Sequence, residues 1–370
     1  MPSLGDVVDL VHSWFPPSTA ESWDAVGLVS GDPSAPVRRI LLAVDAAPEV
    51  AAQAAAIGAD LLLVHHPLFF KPVHSVAATT PKGRTLWTLS SAGCALLAAH
   101  TNADQAVGGV SESMAYALGL TEIEPLVGST PLDSLVTYAP VEAAPAVREA
   151  LAAAGAGSIG RYDTASFSNE GTGRFRPLDG SNPSIGTVGE VEAVDEERIE
   201  VIAPREARGA VVTALLAAHP YETVAYQVIE LASTADASVG HGRIGSVEPT
   251  TLRAFAAAVA AALPATAAGI RVGGDLDKPI RRVALCGGAG ASFLPDVART
   301  DADVYVTSDL GHHTAGEFLE AGGAALIDVP HWAAESTWLP VVARRLREAL
   351  GGTVDVVVSE VVTDPWALCL

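Results

Sequence analysis

Hydrophobic residues in the first third of the chain fall in short continuous runs rather than alternating with polar ones. RILLAVDAA (39–47), DLLLVHH (60–66) and CALLAAHTNAD (94–104) read as strands. Between them, PEVAAQAAAIGA (48–59) and GRTLWTLSSAG (83–93) read as helices. Apolar runs separated by helical segments predict parallel strands covered on both faces. The last third repeats the rhythm. RRVALCGGAG (281–290), DVYVTSD (303–309) and AALIDVPHW (324–332) are expected strands. SFLPDVART (292–300), HTAGEFLEAG (313–322) and AAESTWLPVVARRLREAL (333–350) are the helices among and after them. The order of elements matches between the two thirds, with DLLLVHH corresponding to DVYVTSD, a weak internal repeat.

The middle has a different texture. LVTYAP, AVREALAAAG, IGTVGEVEAV, RIEVIAP, ARGAVVTALLAA and VAYQVIEL give the order β-α-β-β-α-β of a ferredoxin-like arrangement. Gly-rich SNEGTGRFRPLDGSNP (168–183) reads as a long loop inside it, and STADASVGHGRIG (233–245) as a linker. The expected fold class is α/β: two pseudo-repeated lobes, residues 1–131 and 237–370, form a crevice and are split by an inserted α+β domain, residues 132–236.

Composition narrows the function. At 370 residues and 49% hydrophobic content the chain can bury more than one core. A net charge of -21 argues against general nucleic-acid binding, which needs clustered Lys and Arg, and suits cation binding. Three scattered cysteines without CxxC spacing, no basic segment leading an apolar run at the N-terminus and no membrane-length apolar stretch point to a cytoplasmic protein without membrane partners.

The chemistry gathers just beyond the expected strand ends, where open α/β sheets bind ligands. Asp45, His65, His66, His100 and Asp104 follow the first strands; Asp309, His313, His331 and Glu335 follow the later ones. With His312, six of the ten histidines lie in this group. His331 and Glu335 are four apart at the start of a helix and so share a face. Together with Asp104, His65 and His66 they offer three nitrogens and two carboxylates, too many for one tetrahedral ion and suited to two ions with a bridging carboxylate. Pro67 favours extended backbone at His66, where neighbouring side chains diverge. The expectation is therefore that His65 and His66 serve different ions, bridged by Glu335. Three nitrogen donors favour Zn, Fe or Mn over Mg.

Other residues leave alternatives open. His100 suits a ligand-orienting partner, a substrate contact or a strand-end hydrogen bonder. Asp309 and His313 are candidate substrate contacts, though either could instead cap the following helix. CGGAGAS (286–292) could cradle a phosphate or simply turn. Arg174 and Arg176 could hold an anion or be solvated, and HPYE (219–222) is expected to shape a turn.

WDAVGL, LLLVHHPLFF, HTNADQAVGG, TSDLGHH and IDVPHWAAES resemble, in order, motifs of the GTP cyclohydrolase 1 type 2 homologue family. Its members are also described as NGG-interacting-factor-three-like dinuclear-metal hexameric proteins. GSIGRYDTASFSNEGTGRFRPLDGSNP and HPYETVAYQVIEL resemble the PII-like middle domain of its long form. The resemblance implies a homohexamer and two divalent ions per subunit, with His65, His66, Asp104, His331 and Glu335 as ligands. The implied reaction is hydrolytic opening of the guanine imidazole ring of GTP with release of formate, with His100 or His313 as proton shuttles. Ala25, Ser308 and Pro330 depart from the Asn, Gly and Gly usual in the family. A metal-handling or regulatory hexamer without catalysis, and a two-metal phosphoesterase acting on a nucleotide or another small anionic substrate, are the competing expectations.

Overall fold

A computed structural model describes residues 1–128, 131–159, 162–232 and 237–370. It is a mixed α/β fold with several sheets, and it divides into two compact units. One comprises Met1–Gly128 and Ala237–Leu370, the other Ser129–Asp236.

In the first unit, strands Arg39–Ala43, Leu61–Val64 and Ala95–Ala98 lie side by side in parallel, with Leu61–Val64 in the middle. All four residues of Leu61–Val64 are buried, as expected of a strand covered on both faces. A second sheet repeats the triad with Pro279–Ala289, Val304–Ser308 and Ala325–Asp328, again parallel and with the second strand central. The expected correspondence of DLLLVHH with DVYVTSD is thus a correspondence of the two central strands.

The sheet edges depart from the sequence expectation. Asp355–Val358, near the C-terminus, pairs in parallel with Arg39–Ala43 and so completes the first sheet. Helix Trp338–Ala349 packs into that sheet's core through Trp338, Leu339, Val342 and Leu346. Conversely Thr121–Glu124 pairs with Arg243–Thr251 in the second sheet. Edge strands pair with whatever ladder is free, and hydrophobic patterning does not encode that choice. The expected linker also contains strand residues: residues 233–236 lie outside the described residues, and Gly240–His241 and the start of Arg243–Thr251 are strands.

The second unit has a single antiparallel sheet in the order Tyr226–Glu230, Leu132–Pro140, Glu192–Pro204, Ser166–Phe175. Helices Ala144–Ala153 and Arg208–Ala218 bury Val147, Leu151, Val211 and Leu215 with Leu135, Ile199 and Val201 of the sheet. Two expectations fail here. SNEGTGRF belongs to strand Ser166–Phe175, not to a loop, and pairs residue for residue with Glu192–Pro204. That strand has no buried residue, so it carries no period-two signal, and its glycines read as a loop. IGTVGEVEAV and RIEVIAP are not two strands: Glu192–Pro204 is continuous, and residues 185–191 precede it without strand structure.

Among the described residues no helix is long and apolar enough to cross a membrane. Cys94 and Cys286 are buried and Cys369 is exposed, all unpaired.

The first unit buries an arginine. Arg243 is 1% exposed, and its guanidinium donates to the carbonyls of Gly240, Gly242 and Ala106 and to Glu112. Removing it leaves those acceptors unsatisfied in the interior. Arg243→Met is expected to lower unfolding stability by about 3 kcal/mol, read as a lower denaturation midpoint with an unchanged denaturant slope.

Candidate metal centre

Polar residues follow within a few positions of several parallel strand ends in the first unit, and a group of them comes together. His65 and His66 follow Leu61–Val64; His100 and Asp104 follow Ala95–Ala98. His331 and Glu335 lie on helix His331–Ser336, which follows Ala325–Asp328. Glu335, 3% exposed, stands at the centre. Its Oε1 lies 3.4 Å from Nε2 of His65 and 2.8 Å from Nε2 of His331, and its Oε2 lies 3.1 Å from Nε2 of His66. Oδ1 of Asp104 lies 3.6 Å from Nε2 of His65.

The other nitrogen of each ring fixes its orientation. Nδ1 of His65 donates to the carbonyl of Ala99 at 2.9 Å, and Nδ1 of His66 to Asp45 at 2.8 Å. Nδ1 of His331 donates to Asp309 at 2.6 Å, and Nδ1 of His100 to Asp24 at 2.9 Å. Carbonyl and carboxylate oxygens only accept, so Nδ1 carries the proton and Nε2 is left to face the cluster. This carbonyl-or-carboxylate backing of imidazoles is the usual support of metal-ligating histidines.

The inner atoms are under-satisfied. Nε2 of His65, Oδ1 of Asp104, Nε2 of His331 and Oε2 of Glu335 are buried without a hydrogen bond. The short approach of His331 to Glu335 lacks hydrogen-bond geometry. Buried lone pairs facing one another are costly unless a cation lies among them. The pKa directions express the same demand for positive charge. Burial alone would lower His66, but Glu335 and Asp45 overcome it and hold the ring up at about 11. Burial likewise opposes a charge on His331, yet Glu335 and Asp309 raise it to about 9. Burial and the neighbouring Glu335 push Asp104 well above the carboxylate range, whereas the surrounding histidines pull Glu335 well below it against burial. His66, His331 and Glu335 place donor atoms within 4.8 Å of one another, as do His65, His66 and His100. Imidazole and carboxylate donors in this number fit divalent transition metals.

The structure corrects several expectations about these residues. The rings of His65 and His66 do not diverge: their centroids are 5.0 Å apart and both Nε2 atoms face Glu335. The strand ends at Val64, and the backbone N–H groups of both histidines turn to the carbonyl of Val44, so the alternation of extended chain no longer applies. Asp309 caps no helix; Gly311 is the cap residue of His312–Glu320, and Asp309 orients His331 from a left-handed backbone at φ 60°. His313 is exposed on that helix with its ring against His312, and no hydrogen bond or ion pair joins it to the cluster.

The Gly-rich turn also has another role than the anion cradle considered for it. Gly288, at φ +75°, passes so close that a Cβ there would lie 2.5 Å from Oε1 of Glu335 and 3.3 Å from Nε2 of His331. Its neighbour Gly290 is filled over by Tyr305 and Thr307.

Asp24 escaped the residue-by-residue reading. It accepts from His100 and from the backbone and hydroxyl of Thr101, and these donors hold it well below the carboxylate range although burial opposes them. Its only sequence signal was its place in WDAVGL. The neighbouring Trp23, 59% exposed, and Phe70 flank His100 at 5.9 and 5.5 Å.

A mixed α/β fold whose parallel strands end in a histidine–carboxylate cluster with metal-ligand geometry defines a metal-binding, hydrolase-like class of protein. Within it, the chain belongs to the family Duf34/NIF3 (NGG1p interacting factor 3), whose model matches residues 2–365. It is 48% identical over 369 residues to the GTP cyclohydrolase 1 type 2 homolog of Mycobacterium tuberculosis, covering 99% of this chain and 97% of that one. The Bacillus subtilis protein of the same description is 37% identical over 366 residues, covering 97% of each. Among solved structures, a Bacillus cereus protein related to NIF3 superposes with a TM-score of 0.67 at 35% identity, covering 100% of this chain and 99% of that one.

Two substitutions test the geometry. Gly288→Ala inserts a methyl group against Glu335 and is expected to reduce bound metal in purified protein by at least roughly tenfold in affinity. Asp309→Ala frees the His331 ring and should weaken metal binding roughly 10–100-fold with little change in thermal stability of the chelator-treated protein. Both are read by competition with a chromogenic chelator.

Proposed function

We propose that the chain is a divalent-metal-dependent hydrolase with two ions per subunit. One would be held by His65, Asp104 and Glu335, the other by His66, His331 and Glu335, with Glu335 bridging. The observation that carries this reading is the convergence of buried, unsatisfied lone-pair atoms on the Glu335 carboxylate. Bound there, divalent ions would supply acidification of water and polarisation of the bond to be cleaved.

The chain's own groups then have distinct tasks. Asp45, Asp309 and the Ala99 carbonyl hold the imidazoles in the ligating orientation. His100, backed by Asp24 and with its ring 5.0 Å from that of His65, would pass a proton between attacking water and leaving group. Trp23 and Phe70 offer flat apolar surface beside it for a planar substrate such as a purine, in keeping with ring opening of GTP as the reaction suggested by the relatives' description. The unit Ser129–Asp236, whose element order is β-α-β-β-α-β, is read as an inserted ferredoxin-like, PII-like domain, and the assembly as a homohexamer.

One observation favours the reading without nucleotide turnover. The crevice of about 610 Å³ over the cluster is lined by Asp45, Asp309, Asp328 and Asp364. Its one arginine, Arg271, is engaged by Asp328 at 2.5 Å. Little positive charge is left there for a triphosphate, which suits metal handling or a less anionic substrate.

Metal analysis is expected to find about two ions per chain, lost together in His331→Ala and Glu335→Ala. The metal-loaded protein is expected to release formate from GTP, and His66→Ala to abolish the release. Stoichiometric metal without formate or phosphate release from any nucleotide would favour the metal-handling reading.

A further inference from the structure

The second unit has an open-sided cavity of about 840 Å³ that the metal centre does not use, a size ordinary for small-molecule sites. At its inner side lies Glu196, 8% exposed, on strand Glu192–Pro204. Its Oε1 accepts the Tyr221 hydroxyl at 2.8 Å, while Oε2 takes no hydrogen bond from any described residue. The facing strand makes room for the carboxylate with a glycine: a Cβ on Gly173 would stand 2.1 Å from Oε2. A carboxylate oxygen on a mostly buried residue, open to a cavity, calls for a donor from whatever enters.

The rest of the lining adds two further requirements. Phe175 and Tyr221 meet edge to face at 5.6 Å, and Tyr221 is held by its backbone N–H donating to Nδ1 of His219. The other nitrogen of His219 is hydrogen-bonded to the carbonyl of Tyr138, another lining residue. HPYE thus does more than turn the chain: it fixes an aromatic wall. Arg174 and Arg176 line the cavity at the exposed end of the edge strand. Arg176 has no hydrogen bond or ion pair with a described residue, and Arg174 only a 3.4 Å contact with the carbonyl of Thr172. Carboxylate, aromatic wall and guanidiniums call respectively for an N–H donor, a planar ring and an anion. A metal ion would find the carboxylates of Glu196 and Glu222, the second already accepting from the backbone N–H of Asn182, and no free imidazole. A purely apolar ligand would bury Glu196 unpaired, and a bare phosphate would leave the inner half of the cavity unfilled.

We propose that this cavity binds a nucleotide with an amino-bearing base. The base lies against Phe175 and Tyr221 with its exocyclic amine donating to Oε2 of Glu196, and the phosphate reaches Arg174 and Arg176. None of the residues that line the cavity belongs to the metal centre, so a nucleotide here acts as a bound effector and not as the group cleaved.

The test is calorimetric titration of the full-length protein with AMP, GMP, UMP and inorganic phosphate, in wild type and in a His331→Ala, Glu335→Ala double variant. AMP or GMP is expected to bind saturably at one site per chain, equally well in the double variant. UMP and phosphate should bind at least roughly tenfold more weakly. Glu196→Gln and, independently, the exposed pair Arg174→Ala with Arg176→Ala should each weaken AMP or GMP roughly tenfold or more. The arginine pair keeps the test intact if the buried substitution impairs folding. Absence of saturable nucleotide binding, its loss in the metal-site variant, indifference to the arginine substitutions, or equal binding of UMP would overturn the proposal. The double variant separates this outcome from the hydrolase reading, which depends on the residues it removes.

Discussion

The structure of the first unit is organised around one buried carboxylate. Glu335 cannot be left ionised in a dry interior without compensating positive charge, and three imidazole nitrogens lie within 3.4 Å of its oxygens. Each imidazole can face it only because the opposite nitrogen is anchored on Ala99, Asp45 or Asp309. Those anchors sit beyond strand ends, so the length of every parallel strand fixes the register of the cluster. Gly288 is a glycine because any side chain there would enter the carboxylate's space. Ligand geometry, strand length and backbone conformation are thus one constraint.

That constraint explains how the two sheets divide the work. The first supplies His65 and His66 from the turn after its central strand, and His100 and Asp104 from the start of helix Thr101–Gln105 after the neighbouring strand. The second supplies His331 and Glu335 from one short helix, whose four-residue spacing puts both on one face. Trp338, immediately after that helix, is buried in the first sheet's core and packs on His65 at 5.7 Å between ring centroids. Packing and the arrangement of the cluster therefore reinforce each other. The second unit builds its cavity on different means, an open antiparallel sheet whose edge strand brings Phe175 and Arg174 to the lining.

Much of this was legible in the chain because the signals are local. Buried parallel strands announce themselves as continuous aliphatic runs, and a helix places residues four apart together whatever surrounds it. The clustering of six histidines beyond predicted strand ends, and the pairing of His331 with Glu335, follow from those two periodicities. The run DLLLVHH even marks where the strand stops, since two imidazoles cannot continue a fully buried strand unpaired.

Tertiary structure decided what depends on partners distant in sequence. No periodicity says that Asp355–Val358 closes the first sheet, that Asp24 backs His100 across 76 residues, or that Asp309 serves His331 instead of capping a helix. The convergence of His65 and His66 was equally hidden, because it depends on the carbonyl of Val44 from a neighbouring strand drawing both backbone N–H groups out of extended geometry. Strand Ser166–Phe175 was read as a loop for the same reason: its order comes from its ladder with Glu192–Pro204, not from a face of its own. The sequence by itself determined the ligand types and the strands that present them, because those rest on interactions within a few residues. Which oxygen each nitrogen faces, and which carboxylate holds each ring, are set by contacts that exist only once the sheets are packed.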